Sequence, residues 1–488
     1  MVEWKNKVLE LVDKDIAELK RKTKKQRTNP VLKQPSVVEY LASLQDKFVM
    51  TPIDKASNNV AVICKRYYIE VLLKEIGILG SGSATYEKAT KTKEQIIHDD
   101  EEYVARLGYT LSDKEKDLPT MHWIPKMHKN PIKHRFIVAS KSCSTKPISK
   151  AVSNTFKLIQ RQTENFHRHS KFDANYNKFW VIQNADPVLT ELNKINGKKS
   201  AKCISCFDFS TLYTNIPHDK LIERLNELID FAFKGGNRNN ICFNHNGSAY
   251  WGRKSKKKCF TKQSLKVALS HLISTCYFSV GNATMRQRVG IPMGIDPAPF
   301  WANLFLYTYE HEYMKETIKA DRVKAKHFHA IFRFIDDLCS INDGSEFGNV
   351  FKDIYPVELE LEKEHDGNSA SFLNLEIWIE DGQFIHKLYD KRDAFPFSIV
   401  RMPYLCSNIP RKIFYSALVG EFLRIARATS RLTDFLIKAK DLVNRMLHQG
   451  GNRCAMRRNL LKCVRRHHDS FSKYCVQAEN IIDQCCSQ

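Results

Sequence analysis

The sequence predicts an α+β fold in which an antiparallel sheet is flanked by helices. Residues 330–341 form two apolar runs around a pair of acids, and the runs alternate as the two strands of a hairpin do. Residues 371–389 alternate in the same way on both sides of the turn at 380–382, which predicts a second hairpin. Residues 299–313 instead have the pattern of a helix. Hairpins and helices in one chain are typical of an α+β protein.

Composition and charge restrict the possible partners. The chain has 488 residues, of which 43% are hydrophobic, enough for two to four domains with sizeable cores. Its 77 lysines and arginines against 54 acids give a formal charge of +23. This excess favours a polyanion, most often nucleic acid, with an anionic membrane surface as the alternative. No apolar run approaches the ~20 residues that span a bilayer, and the first residues do not resemble a secretory signal.

The fourteen cysteines favour a reducing compartment. They are scattered, and several lie in apolar strands, where a thiol behaves as a small hydrophobe. Cys203 and Cys206 have CxxC spacing, but their side chains would diverge within a strand. The closing cysteines, with His467 and His468, could bind zinc, although their spacing matches no finger pattern.

An amphipathic helix opens the chain and runs into a basic segment. Apolar residues repeat at helical spacing from Trp4 to Leu19, and residues 20–27 are mostly lysine and arginine. This segment could be a nuclear address, a phosphate-binding arm or a solvated helix end. Together with the cysteines, it favours an intracellular and nuclear location.

The acidic pair Asp336-Asp337 is predicted to lie at the tip of the first hairpin. Adjacent carboxylates repel each other unless a cation lies between them, and Mg²⁺ prefers oxygen ligands of this kind. The alternative is an ordinary β-turn, in which Asp is common. A third acid, Asp208, ends a predicted buried strand. Two-metal phosphoryl transfer needs carboxylates from separate strands, and Asp208 supplies a carboxylate from the second strand. The carbonyl of Phe209 could be a further metal ligand.

Two basic segments could contact phosphates. Lys126, Lys129 and Arg135 lie on and beside a short predicted strand, from which arginine can bind a phosphate through two hydrogen bonds. A solvated basic hairpin is the alternative. Residues 231–262 are polar and rich in glycine and lysine, which predicts a surface insertion that could touch a nucleic-acid backbone.

A glycine loop precedes the predicted helix at 299–313. Gly290 and Gly294 permit backbone conformations that allow close approach to a base or sugar, and Pro292 stiffens the turn between them. A glycine loop that enters a helix is weak evidence of nucleotide binding in isolation.

In this order the segments resemble the palm of reverse transcriptases, which has an Asp-x-x-x-x-Tyr strand, a Gln…Gly-x-Pro-x-Gly loop, an Asp-Asp hairpin and a primer-holding hairpin. The sequence resembles the Penelope-like retroelement family, relatives of telomerase, more closely. The segments that match motifs of this family are Ile53-Asp54-Lys55, Ile124-Pro125-Lys126-Met127-His128-Lys129, Arg135-Phe136-Ile137-Val138, Leu212-Tyr213-Thr214-Asn215-Ile216-Pro217 and Phe372-Leu373-Asn374-Leu375. The resemblance spans roughly residues 45–465. The Gly-Ile-Tyr nuclease of the family has no counterpart, so no cutting activity is expected.

The resemblance implies a right-hand polymerase with fingers, palm and thumb. The expected divisions are an N-terminal helical basic extension (1–45), fingers (46–200), a palm (201–390, with the surface insertion 231–262), a helical thumb (391–465) and a tail containing Cys and His (466–488). Asp208, Asp336 and Asp337 would be catalytic and, with the Phe209 carbonyl, would hold the metal ions.

The resemblance also implies roles in binding. The residues expected to contact the nucleotide are Lys126, Lys129, Arg135, Tyr213, Gln287, Gly290 and Gly294. An aromatic side chain at the position of Tyr213 crowds the nucleotide 2′ position in DNA-making relatives, so it favours deoxynucleotides; a core tyrosine is the alternative. Leu388 and Tyr389 would lie near the primer end.

A helix predicted over 407–435 would be the main thumb element. It carries Arg424, Arg427 and Arg431 on one predicted face, where they could bind a duplex backbone without reading its sequence. A solvated helical face is the alternative.

A few positions depart from the family pattern. Ala56 replaces the usual glycine, Phe136 the proline and Asn374 the aspartate. Residues 295–299 also differ, and the family pattern gives no role to Asp296 within them.

The sequence therefore predicts an RNA-directed DNA polymerase that extends a primer 3′-OH with dNTPs, using two Mg²⁺ ions for which Mn²⁺ could substitute. Its expected partners are an RNA template, a DNA or RNA primer and dNTPs, with no membrane. One alternative is a catalytically inactive or repurposed RNA-binding protein of the same fold. Another is untemplated or RNA-making synthesis, which Tyr213 should oppose.

Overall fold

The computed structural model describes residues 2–22, 34–80, 82–169, 176–235, 238–253, 258–407 and 409–486. The predicted N-terminal helix is confirmed as α1 (Val2–Lys22), whereas the basic residues 23–27 lie outside the described ranges. The next elements are α2 (Pro35–Lys47), β1 (Phe48–Ile53), β2 (Ala56–Cys64), α3 (Lys65–Glu75), β3 (Tyr86–Lys88), α4 (Lys93–Arg106), β4 (Thr120–Lys126), β5 (Lys133–Ala139), α5 (Lys146–His169) and α6 (Asp186–Asn196).

The central elements alternate strands with long helices. They are β6 (Ile204–Phe209), α7 (Leu212–Asn215), α8 (His218–Ala232), β7 (Asn240–Phe243), β8 (Ala249–Gly252), β9 (Cys259–Thr261), α9 (Lys262–Ser274), β10 (Tyr277–Val280), β11 (Ala283–Gln287), α10 (Ala298–Ala320), α11 (Arg322–His327), β12 (Ile331–Phe334), β13 (Asp337–Ile341), α12 (Glu346–Ile354), β14 (Leu361–Gly367), β15 (Ser369–Phe372), β16 (Leu375–Glu380) and β17 (Gln383–Leu388). The first predicted hairpin is confirmed as β12–β13 and the second as β16–β17.

The four-stranded antiparallel sheet β12-β13-β6-β14 is the centre of the fold. Because successive side chains of a strand face opposite ways, each of its strands contributes to two cores. Phe207 and Leu338 belong to a first core, shared with α5, α8 and α10. Cys206 and Cys339, on the other face, belong to a second core, shared with β15–β17 and the C-terminal helices.

A second sheet has the strand order β3-β11-β10-β4-β5 and contains the predicted basic strand as β5. The antiparallel hairpin β1–β2 packs beside strand β4 of this sheet. This hairpin contacts a segment that follows β17, because Asn58 donates a hydrogen bond to the Val400 carbonyl (3.1 Å) and Asn59 accepts one from the Val400 N–H (2.8 Å).

The predicted surface insertion 231–262 contains a small sheet of its own. Its strand order is β8-β7-β9, and residues 236–237 and 254–257 lie outside the described ranges. Ile241 and Phe260 are buried in the first core. The insertion is thus anchored by apolar side chains, although its sequence is largely polar.

The C-terminal region is a helical bundle built on the second core. Its helices are α13 (Arg411–Ala428), α14 (Leu432–His448), α15 (Arg453–Arg466), α16 (His468–Phe471) and α17 (Ala478–Cys486). Residues 466–488 were predicted as a tail, but α17 packs on α14 and α15 and buries Ile481, Ile482 and Cys485.

The single helix predicted over 407–435 is wrong, because α13 ends at Ala428. Thr429 has extended backbone angles, and the Ser430 N–H donates to the carbonyl of His386 on β17 (2.8 Å). His386 in turn donates its own N–H to the Ser430 hydroxyl (3.0 Å). The chain leaves the helix at this point because Ser430 pairs with the edge of the β16–β17 hairpin.

Candidate active site

Three carboxylates meet at one end of the central sheet. Asp208 on β6 and Asp337 on β13 are directly opposed in the antiparallel register, so their side chains lie on the same face. Asp336 lies in the two-residue turn between β12 and β13, where its carbonyl accepts the N–H of Phe209 (3.2 Å). Acids that are 128 residues apart in the chain (336 − 208) are thereby brought together.

The electrostatics of this site oppose full ionisation. Burial, followed by the charge of Asp336, raises the pKa of Asp208 to about 6. The same two causes, in the same order, raise the pKa of Asp337 to about 6. The exposed Glu364 adds to both effects, whereas the positive charge of Lys391 opposes them. A divalent cation bound between these acids would relieve the repulsion.

The donor chemistry fits magnesium, because three carboxylates from two strands and a turn offer hard oxygen ligands. Within the ranges that the structure describes, however, no three His, Cys, Asp or Glu side chains surround a common metal position. The backbone therefore places the three aspartates side by side. For their carboxylates to bind one metal ion together, the side chains would have to adopt other rotamers.

Arg333 is a fully buried cation beneath the turn that carries Asp336. Its guanidinium pairs with the buried carboxylate of Glu310 on α10 and donates to the side-chain and main-chain oxygens of Asn303 (3.0 and 2.9 Å). The fifth N–H donates to the carbonyl of Ile335 (3.1 Å). The Tyr355 hydroxyl donates to Glu310 as well (3.0 Å). All five guanidinium donors are therefore satisfied.

The turn residue Ile335 has φ = +57°, a left-handed conformation that β-branched side chains rarely adopt. The hydrogen bond from Arg333 holds the carbonyl of this residue, so Arg333 is a positioning residue for Asp336. The sequence analysis missed it, although a cation in the middle of a buried apolar run is a signal that a partner acid exists elsewhere.

Tyr213 lies on α7, directly after the strand that carries Asp208. Burial, followed by the charge of Asp336, raises the pKa of Tyr213. The glycine loop packs under α7: the Ile291 N–H donates to the Tyr213 carbonyl (2.6 Å), and a Cβ on Gly290 (φ = +86°) would lie 2.3 Å from the same oxygen. Only glycine fits this position.

The other end of the loop packs against β5. A Cβ on Gly294 (φ = +121°) would lie 2.3 Å from the Val138 carbonyl, and Val138 donates its N–H to the Met293 carbonyl (2.8 Å). Gln287 was expected to line the pocket, but it is 2% exposed and its amide donates to the Val289 carbonyl (2.8 Å). This placement corrects the expectation, because the side chain supports the loop from inside.

Asp296, which had no expected role, ties the loop region to α5. Its carboxylate pairs with Lys146 (2.7 Å) and accepts a hydrogen bond from Ser149 (3.2 Å).

The predicted phosphate-binding cations lie together at one end of the β4–β5 hairpin. Burial, followed by the charge of Arg135 and with a contribution from Lys129, lowers the pKa of Lys126. Arg135 lies 3.4 Å from the buried carboxylate of Asp54, which follows β1. Asp54 can therefore fix the direction of this guanidinium.

The structure is similar to solved telomerases. Telomerase of Candida albicans, in complex with a TWJ fragment of telomeric RNA, superposes with a TM-score of 0.60 at 11% identity over 92% of this chain and 72% of that one. The chain has the right-hand fold of nucleic-acid polymerases. Apo telomerase of Candida tropicalis gives a TM-score of 0.49 at 11% identity over 92% and 70% of the two chains. No family model and no curated protein matches the sequence.

The assignment of the sheet β12-β13-β6-β14 to the palm and of the bundle α13–α17 to the thumb is a prediction. No helix within the described ranges is long and apolar enough to span a bilayer. The domain boundaries expected from the sequence remain predictions.

The residues expected beside the primer differ in their accessibility. Leu388 is 4% exposed and packs in the second core, and its position near a primer end stays a prediction. Tyr389 is partly exposed, and its N–H donates to the Asn374 carbonyl (2.8 Å). Two residues later, Lys391 is exposed and its charge acts on both Asp208 and Asp337. The sequence analysis missed Lys391; its signal was a cation immediately beyond the primer-holding hairpin.

The three thumb arginines do not share a helical face. Arg424 pairs with Glu421 (2.5 Å) on α13, and Arg427 is exposed near the end of the same helix. Arg431 precedes α14 and pairs with Glu380 on β16 (2.6 Å). Their contacts with a duplex backbone remain predictions.

The raised carboxylate pKa values predict a defined pH dependence of stability. The folded-state pKa of about 6 for Asp337 lies above the ~3.9 of an unfolded aspartate, so the folded chain binds more protons between roughly pH 4 and 6. Stability that is present below this window is lost as the pH rises through it. At pH 7.5 and without metal, Asp337→Asn should therefore raise the melting temperature, by about 2 °C.

Magnesium should stabilise the wild-type chain at pH 7.5 and should not stabilise Asp208→Asn/Asp337→Asn. Asp366→Asn serves as the control, since this exposed acid lies on β14 and pairs with Lys363 (2.9 Å). Thermal melting with and without Mg²⁺ measures both effects. Equal stabilisation of all chains by Mg²⁺ would refute a metal site at these acids.

Arg333 is predicted to act on catalysis through the turn. Replacing it alone leaves the buried Glu310 carboxylate without an opposite charge, although the Tyr355 hydroxyl still donates to it, at a cost of about 3–5 kcal/mol. Arg333→Met/Glu310→Leu removes both charges and should recover most of that stability. The double variant still lacks the hydrogen bond to Ile335, so kcat for nucleotide incorporation should fall about tenfold or more, with KM nearly unchanged.

The control for this variant is Arg457→Met, which breaks an exposed pair with Asp483 (2.7 Å) between α15 and α17. It should cost less than about 1 kcal/mol and leave kcat intact. A stable double variant with full kcat would show that the buried pair serves stability alone.

Proposed function

We propose that the chain is an RNA-directed DNA polymerase that extends a primer 3′-OH with dNTPs. The main support is the register that brings Asp208 opposite Asp337, beside the turn of Asp336, in a chain with the right-hand polymerase fold. Carboxylates that repel each other lower the stability of the fold unless a cation is bound between them. Such a cluster is therefore expected in an enzyme that binds divalent cations and not in a protein that binds none.

In the proposed reaction Asp208, Asp336 and Asp337 hold two Mg²⁺ ions, for which Mn²⁺ could substitute, and the carbonyl of Phe209 adds a ligand. When bound, such ions stabilise the attacking and leaving oxygens of phosphoryl transfer. Arg333 fixes the turn that presents Asp336. Lys126, Lys129 and Arg135 neutralise the triphosphate, with Asp54 directing the guanidinium of Arg135.

Tyr213 is proposed to select the sugar of the nucleotide. The charge of Asp336 contributes to the raised pKa of its phenol, and the packing of Gly290 against its backbone limits its movement. A rigid aromatic ring at this place would exclude a 2′-hydroxyl by steric conflict and accept a deoxyribose.

The proposed partners are an RNA template and a DNA or RNA primer. A similar telomerase was solved with a fragment of telomeric RNA, and the formal charge of +23 suits a polyanion. Origin in a Penelope-like retroelement and a nuclear location are proposed from the motifs and the basic N-terminal segment.

A second candidate is an RNA-binding protein that has lost catalysis. The absence of a ready three-ligand metal position among the described side chains favours it. The retention of Asp208, Asp336, Asp337 and Tyr213 together favours the polymerase, because RNA binding requires none of them.

The decisive experiment is extension of a primed RNA template by the purified chain with Mg²⁺ and each nucleotide type, then with EDTA. Asp208→Asn and Asp336→Asn should each lower extension at least about a thousandfold, because they remove metal ligands while keeping side-chain volume. Asp366→Asn, at the far end of the same sheet, should extend normally. Near-normal extension by either catalytic variant would refute the assignment.

Tyr213→Ala should relax sugar selection by about tenfold or more, because a steric exclusion is lost. Tyr213→Phe keeps the ring and should keep the selection. The ratio of kcat/KM for dNTP and rNTP measures the effect. An unchanged ratio in Tyr213→Ala would assign the tyrosine to the core.

A further inference from the structure

A basic and aromatic groove lies between α5, α8 and the small sheet β7–β9, with a volume of about 920 Å³. Its walls include three cations, Arg161, Lys234 and Arg238, and three aromatic rings, Phe166, Phe231 and Trp251. No aspartate or glutamate is among its described lining residues.

The groove is remote from the catalytic acids. The start of α8 lies at the active site, where His218 is hydrogen-bonded to the Gly290 carbonyl (2.7 Å), and Phe231 lies 13 residues further along this helix. At 1.5 Å per residue this separation is about 20 Å. The start of α5 likewise pairs with the loop through Lys146, and Arg161 lies about 22 Å further along it.

The positive charge of the groove is available to a ligand. Within the described ranges, Arg161, Lys234 and Arg238 take part in no ion pair. Lys234 and Arg238 also line an adjoining cavity of about 530 Å³, whose acid Asp230 is neutralised by Lys266 (2.6 Å) and Lys262 (3.4 Å). The two cavities therefore share two of the cations.

Two of the three aromatic side chains of the groove are exposed. Phe166 is 54% exposed and Phe231 39% exposed, and their ring centroids lie 5.4 Å apart in an edge-to-face pair across α5 and α8. Exposed aromatic groups that cluster on a protein surface usually mark a binding site.

We propose that this groove is a second nucleic-acid site, which binds a single strand of RNA away from the active site. Cations contact phosphates, and exposed rings offer stacking surfaces for unpaired bases. A duplex cannot use those rings because its bases are already stacked. An acidic peptide would satisfy the cations but leave the rings without planar partners. That the strand is the unpaired part of a template rests on the proposed function.

The test measures binding of a fluorescein-labelled ten-nucleotide oligouridine to the full-length chain, with saturating unlabelled primer–template duplex present to fill the polymerase cleft. Arg161→Glu/Arg238→Glu should weaken binding at least tenfold and lower the salt slope by about 1.4, the value for two phosphate contacts with a single strand. Phe166→Ala should weaken binding about fivefold or more, because one stacked base is lost.

The controls separate this site from the polymerase. Lys198→Glu changes an exposed cation after α6 and should leave oligouridine binding unchanged. Both groove variants should melt like the wild type. On a template with a single unpaired nucleotide, which is too short to reach the groove, they should extend the primer within about twofold of the wild-type rate. Unchanged affinity in both variants overturns the proposal. A second outcome also overturns it, in favour of a surface that binds any polyanion. In that outcome oligoglutamate displaces the labelled oligouridine at the same concentration as unlabelled RNA does, and Phe166→Ala binds oligouridine normally.

Discussion

The buried ion pair between Arg333 and Glu310 is the constraint on which the end of the central sheet that carries Asp208, Asp336 and Asp337 depends. A guanidinium in an apolar core is tolerated only when each of its donors has a partner, and here the partners come from α10 and from the turn. The main chain of Arg333 is also fixed, since its N–H donates to the Trp180 carbonyl (2.7 Å) and its carbonyl accepts from Ile182 (2.8 Å). The edge of β12 is thereby covered, and the turn has little freedom to move.

From that fixed strand the position of the acids follows by register. The pairing of β13 with β6 places Cys339 opposite Cys206 and, two residues further, Asp337 opposite Asp208. A shift of one residue would turn the side chains of the first core toward the second core and those of the second toward the first. Because both faces of the sheet are buried, such a shift is strongly disfavoured and the register is fixed. Asp208 and Asp337 are therefore held together by packing that they do not take part in, which allows the structure to tolerate their repulsion.

Much of this arrangement could be predicted because its signals are local. Alternation identified the β12–β13 and β16–β17 hairpins, and strand order in known polymerases suggested that Asp208 and Asp336 would meet. The features that could not be predicted are contacts between residues that lie far apart in the sequence. Glu310 lies 23 residues before Arg333, and Lys146 lies 150 residues before Asp296, so neither pairing has a sequence signal. The end of α13 was missed because Ser430, not a proline or glycine, turns the chain by pairing with β17.

The local charge at the acidic end of the central sheet is opposite in sign to the net charge of the chain. The chain as a whole carries +23, which attracts a polyanion at long range. At the end of the sheet that carries Asp208 and Asp337 the excess is negative, because the exposed Glu362 lies directly opposite Asp208 on β14 and Glu364 follows it. Such a local field attracts small cations and repels phosphates. On the proposed function, divalent cations and a nucleotide triphosphate would therefore bind the site cooperatively, since each would neutralise the charge that opposes the other.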